Sequence, residues 1–140
     1  MEHNAYTVML AKIRAFRATR DVIAQSLRPF SITVTEWLYL GALDKQTQAV
    51  GPKQLAEELN VSMPLITRYT KQLQAKGYIT MITNESDRRE RTITLSHDGE
   101  RLLNTSEPVV RDALKLWLEA IPQNEIRTYI TVLLQVAYKI

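Results

Sequence analysis

The chain has 140 residues, 45% of them hydrophobic, which suits a single domain with a sizeable core and excludes a disordered polypeptide. It contains no cysteine, so disulfides, thiolate nucleophiles and cysteine-based metal sites are excluded. The net charge of +3 is unevenly placed: residues 1–61 carry seven basic and six acidic side chains, residues 62–91 six and three, and residues 92–140 five and six, so the excess sits in the middle stretch, a pattern that charge alone assigns equally to a nucleic-acid surface and to a solvated basic patch.

From about Ala5 to Leu27 no proline or glycine intervenes, and Tyr6, Met9, Ile13, Phe16, Ile23 and Leu27 recur at spacings of three and four, with Arg20 in the stripe. One long helix is expected, too long for a single core to cover, so part of its stripe should meet another chain. Arg28, Pro29 and Phe30 end it. Thr33 with Glu36 forms a capping box that opens a second helix through Trp37, Leu38, Leu40 and Leu43, in which Trp37 and Tyr39 read as structural aromatics. After the polar link DKQTQAVG, Pro52 starts a short helix with Leu55, Ala56 and Leu59 inward, and Asn60 takes a left-handed turn.

Ser62 then caps the helix SMPLITRYTKQLQAKG, in which Pro64 lies in the first turn and Gly77 supplies the exit. On the wheel Leu65, Ile66, Tyr69 and Leu73 fall on one side, and Pro64, Thr67, Arg68, Lys71 and Ala75 on the other, a cationic face without an acid. Two helices joined by this turn have the spacing of a helix-turn-helix. Tyr78–Thr83 and Arg91–Leu95 read as strands around the polar tip NESDRRER, which makes a basic wing. Such a wing can lay Arg88 or Arg89 in a minor groove, with Asp87 orienting an arginine. Ser96 caps a helix running to Trp117 and Leu118, with Pro108 expected to kink or split it, and a final helix begins near Pro122 with Ile126, Tyr129, Ile130, Leu133, Leu134 and Ala137 as its stripe.

The order of elements, the segment LAEELNVS, the adjacent Thr67 and Arg68, the wing residues Asp87, Arg88 and Arg89, and the helix start Leu95, Ser96 and Gly99 resemble the MarR family of transcription regulators over nearly the whole chain. Asn60, where the family commonly has a turn glycine, and the extra acid Glu90 depart from the pattern. The resemblance implies a mainly α fold with a small β-wing: a winged helix-turn-helix lobe at 33–99 flanked by dimerisation helices at 1–30 and 100–140. It also implies a homodimer on a palindromic operator, a repressor released by a small aromatic or amphipathic effector. It points to Thr67, Arg68 and Lys71 for the major groove and Arg89, with Arg88, for the minor groove. The full expected set of DNA-binding residues is Ser62, Pro64, Thr67, Arg68, Lys71, Asp87, Arg88, Arg89 and Arg91.

Enzyme chemistry is not expected. The two histidines, His3 and His97, have no ligand partners at metal spacing, and no phosphate loop or nucleophile elbow is present, so neither catalytic residues, metal nor cofactor are predicted. No apolar run approaches the roughly 18 residues of a membrane span, and the N-terminus does not read as a signal peptide, so a cytoplasmic location is expected. A ligand site is expected between the first helix, the Trp37 helix and the Pro108 helix, with Arg17, Trp37 and Tyr39 as lining residues. The competing functions are a winged-helix module that binds an acidic protein and a nonspecific DNA-binding protein. Sequence preference and salt dependence separate the three.

Overall fold

A computed structural model of the chain describes residues 1–46, 48–87 and 89–139. Helix α1 spans Ala5–Leu27, as its unbroken periodicity predicts, and a 3-10 turn at Arg28–Phe30 reverses the chain through Ser31 at φ 55°. Helix α2, Val34–Asp44, opens on the full capping box: Thr33 Oγ1 accepts from the Glu36 amide while Glu36 Oε1 accepts from the Thr33 amide. Helix α3, Pro52–Leu59, and helix α4, Met63–Ala75, follow. Strands β1, Ile79–Thr83, and β2, Arg91–Leu95, pair antiparallel with Ile79 opposite Leu95 and Thr83 opposite Arg91. Helices α5, His97–Trp117, and α6, Gln123–Tyr138, complete the chain.

The core lies between α2, α3, α4, the hairpin and α5 as far as Val110, with Leu27, Tyr39, Leu40, Leu55, Ile66, Leu73, Ile93 and Val110 almost wholly enclosed. The rest of α1 and α6 are different. Tyr6, Met9, Leu10 and Phe16 remain exposed on α1, and α6 buries no residue at all. Helix α1 packs along α5 and closes on the core only at its C-terminal end.

Three features refine or depart from expectation. Of the kink or split expected at Pro108, the split does not occur, and α5 runs through it as one helix. The carbonyl left unpaired by the missing N–H belongs to exposed Asn104, where water can satisfy it. Within the polar link, Val50 forms a β-bridge to Ile93, its amide donating to the Ile93 carbonyl at 3.3 Å and its carbonyl accepting from the Ile93 amide at 2.7 Å. This one-residue third strand is invisible to a period-2 pattern because it is a single position. On α4, Leu65 is exposed and Thr70 takes the inward place, since the side nearest α2 requires a hydroxyl.

The hairpin joins α5 through a close backbone contact. Ser96 Oγ donates to the Gly77 carbonyl at 2.6 Å and accepts from the Gly99 amide at 3.1 Å, while the Ser96 amide donates to the Tyr78 carbonyl. A Cβ on Gly99 would stand 2.2 Å from that same Tyr78 carbonyl oxygen. The spacing of Ser96 and Gly99 is therefore a steric requirement. Gly99→Ala, which in an open helix would stabilise, is expected here to destabilise by about 3 kcal/mol, read as a lowered midpoint in urea unfolding. An unchanged or raised midpoint would contradict the contact.

Candidate nucleic-acid interface

Helix α4 is held by its buried side and free on the other. Its start is capped by Ser62, whose Oγ accepts from the Leu65 amide, with Pro64 in the first turn. The preceding turn closes on Asn60 at φ 53°, with the Asn60 amide donating to the Glu57 carbonyl and the Val61 amide to the Ala56 carbonyl. The C-terminal end repeats the device: Gly77 at φ 81° donates to the Gln74 carbonyl and Tyr78 to the Leu73 carbonyl, a Schellman motif. Both left-handed residues predicted at the two ends are present.

Two polar links fix α4 to α2. The Tyr39 hydroxyl lies 2.8 Å from Thr70 Oγ1, and Thr70 Oγ1 donates at 2.7 Å to the Ile66 carbonyl. Since the one threonine proton is used there, Tyr39 is the donor. Burial pushes the Tyr39 phenol pKa up, against the opposing effect of Thr70, and keeps that proton in place. At the other end Lys76 Nζ reaches the Glu36 carboxylate at 2.9 Å and also donates to the Ser31 carbonyl. Glu36 is only 2% exposed. Its burial works to raise the carboxyl pKa, but the Thr33 amide and Lys76 outweigh it and bring the group below the ordinary glutamate value. Lys76 thus belongs to the scaffold, a role that a count of basic residues does not reveal.

The outward face carries Pro64, Thr67, Arg68 and Lys71, all exposed. The Thr67 hydroxyl donates to the Met63 carbonyl, so its free capacity is as an acceptor. On the wing Arg89 and Arg91 are exposed. Among the described residues no carboxylate lies within ion-pair distance of Arg68, Lys71, Arg89 or Arg91. Arg88 lies outside the described residues.

The wing tip is tied by local bonds. Asn84 Oδ1 accepts from the Ser86 amide, Asn84 Nδ2 donates to Glu90 Oε2, the Asn84 amide donates to the Glu90 carbonyl, and Asp87 Oδ1 accepts from the Arg89 amide at 3.0 Å. Asp87 therefore holds Arg89 through its backbone amide and not through its guanidinium. A carboxylate two residues before an amide closes an Asx turn, which is the more local solution. Glu90, the acid that departs from the family pattern, is engaged by Asn84 in the tip.

The expected ligand residues do not come together. Tyr39 is fully buried in the core and Arg17 is exposed on α1, and neither lines the cavity beside Trp37. Only Trp37 lines a cavity, of about 690 Å³, bounded by Leu38 and Gly41 of α2, Leu59 of α3, Leu103 of α5 and Tyr138 of α6. No α1 residue contributes to it. Among the described residues no histidine or carboxylate cluster could hold a metal ion, and no helix is long and apolar enough to cross a membrane.

Comparison with known proteins bears on the fold. The MarR family model matches residues 32–90. A MarR family transcriptional regulator from Rhodococcus sp. RHA1 superposes with a TM-score of 0.90 at 17% identity, covering 100% of this chain and 99% of that one. MarR from E. coli, in a mutant form complexed with operator DNA, gives 0.78 at 19% identity over 96% and 99%. BpsR from Bordetella bronchiseptica, whose DNA binding is regulated by 6-hydroxynicotinic acid, gives 0.84 at 18% identity over 94% and 98%.

The Glu36–Lys76 pair sets an expectation for pH. A carboxyl pKa lowered on folding stabilises the protein above the unfolded-state value and loses that contribution as pH falls through the folded-state value. Lys76→Met leaves burial opposed only by the Thr33 bonds. It is expected to cost about 2 kcal/mol at neutral pH, discounted for the partial exposure of Lys76, with the deficit narrowing as acid protonates Glu36. Thermal or urea unfolding of both proteins across the acidic range measures this, and a deficit that stays constant with pH would contradict it.

Proposed function

Starting from a chain whose residues 32–90 match the MarR family model, within a mainly α fold completed by a β-wing, we propose a non-enzymatic transcription regulator of that family that binds double-stranded DNA in a sequence-specific manner. The observation that carries the reading is the division of α4. Its inner side is fixed by Tyr39 and by the Glu36–Lys76 pair, while Arg68 and Lys71, with Arg89 and Arg91 on the wing, are exposed and have no acidic partner among the described residues. An exposed cation with no internal partner keeps its full attraction for phosphate.

On this reading Thr67, Arg68 and Lys71 face the major groove, Ser62 and Pro64 place the start of α4 against the phosphate backbone, and Arg89, with Arg88, enters the minor groove. Arg91 adds phosphate contact and Asp87 sets the direction of the tip. A homodimer follows from the terminal helices. The stripes Tyr6, Met9, Ile13 and Phe16 on α1 and Tyr129, Ile130, Leu133 and Leu134 on α6 are exposed, and together they supply the apolar area of a two-fold interface. The lobe at 33–99 then reads one half of a palindrome, while 1–30 and 100–140 hold the pair together, with α5 shared between them through Val110. The DNA complex of E. coli MarR supports the DNA-binding reading, and the control of BpsR by 6-hydroxynicotinic acid supports a small aromatic effector.

Selection of bound duplexes from a random pool tests the reading. An enriched inverted repeat is the expected outcome, and enrichment of nothing would move an acidic protein partner ahead of DNA. On the selected site, Arg89→Ala is expected to weaken binding by roughly 1 to 3 kcal/mol without changing the unfolding midpoint. Lys71→Ala is expected to reduce the slope of log affinity against log salt by about one. A folded Arg89→Ala protein with unchanged affinity would remove the minor-groove role.

A further inference from the structure

The cavity beside Trp37 has a charge pattern of its own. Four charged side chains line it, and three are carboxylates: Asp44, Glu58 and Glu107 against the single ammonium of Lys45. That ammonium is already engaged, 3.8 Å from Glu58 Oε1 and 5.5 Å from the centre of the Tyr138 ring. An aromatic face beside a carboxylate is a receptor for a cation, and the protein places its own cation there. Glu107 is paired with Arg111 at 3.6 Å, whereas Asp44 has no cation within ion-pair distance among the described residues.

The floor is aromatic and open. The Trp37 indole N–H is used on buried Ser106 at 3.2 Å, so what the ring offers the cavity is π surface. Gly41 lies in the interior of α2, where glycine disfavours a helix by about 1 kcal/mol relative to alanine, and a Cβ on it would meet nothing within 4 Å. The space above Gly41 is large enough for fused rings, and no arginine lines it to receive an acid.

We infer that this cavity takes an aromatic organic cation, its rings against Trp37 over Gly41 and its ammonium between Asp44 and the Glu58–Tyr138 corner, displacing Lys45. The inference deepens the proposed response to an effector by giving the effector's charge, and it rests on that reading only for its regulatory consequence. Leu59 ends α3 directly before the Asn60 turn into α4, so a ligand here touches the support of the DNA-facing helix. Binding itself is tested without DNA, and failure of either proposal is visible independently of the other.

The experiment is calorimetric titration of the DNA-free protein with three probes of one shape: naphthylmethyl-trimethylammonium, naphthylmethanol and naphthoate. The cation is expected to bind at least about tenfold more tightly than the alcohol, and the carboxylate more weakly than either. The double variant Asp44→Asn with Glu58→Gln, which neutralises both carboxylates of the ammonium's place, should fold as the parent does and lose most of that preference. Gly41→Leu, which fills open space, should abolish binding of cation and alcohol alike while circular dichroism stays helical. Naphthoate binding as well as the cation, no heat from the cation up to millimolar concentration, or a preference that survives the double variant would each overturn the inference.

Discussion

A carboxylate that folding has removed from water must be answered on every side, and Glu36 is answered by the Thr33 amide and the Lys76 ammonium. These two partners come from the start of α2 and from the residue that closes α4, forty positions apart in sequence from Glu36 in the second case. Moving α4 relative to α2 would strand the charge. The pair therefore specifies an arrangement more than it adds stability, because exchanging both members for apolar groups of similar shape is often neutral while removing one is not. Tyr39 and Thr70 repeat the constraint in neutral form one to two turns further along α4's inner side.

With α4 fixed from within, the wing is fixed to α4. The Schellman closure at Gly77 delivers the chain into β1, Ser96 bonds back to that same closure, and Val50 ties β2 to the link between α2 and α3. The lobe is a closed circuit of short-range contacts. What leaves the circuit is apolar: the outer part of α1 and the whole of α6, whose exposed side chains find no cover within one chain.

Much of this was legible in the sequence because the signals were local. Ser62, Asn60, Gly77, the Thr33–Glu36 box and Ser96 each state a helix end through chemistry contained within four residues. The pairing of Arg91–Leu95 with the preceding strand followed from alternation. Long-range partners were not legible. Nothing adjacent to Lys76 distinguishes it from Lys71, yet one neutralises a buried acid and the other faces outward. Thr70 looks polar on a wheel and is buried because Tyr39 meets it. Tyr39, expected both as a structural aromatic and as a ligand residue, is the former for the same reason, and the cavity lies where α3 and α6 approach Trp37, a convergence that no local pattern encodes.

The bonds inside the wing tip bear on the entropy of association. A surface loop that must be ordered when it docks forfeits roughly 1 kcal/mol or more for every residue immobilised at that moment. Asn84, Ser86, Asp87 and Glu90 bond to one another's backbones and side chains or to that of Arg89 before any partner arrives, so most of that loss is taken during folding. Among the described residues of the tip it is chiefly the Arg89 side chain that is left to be ordered, so its backbone meets a partner already in place.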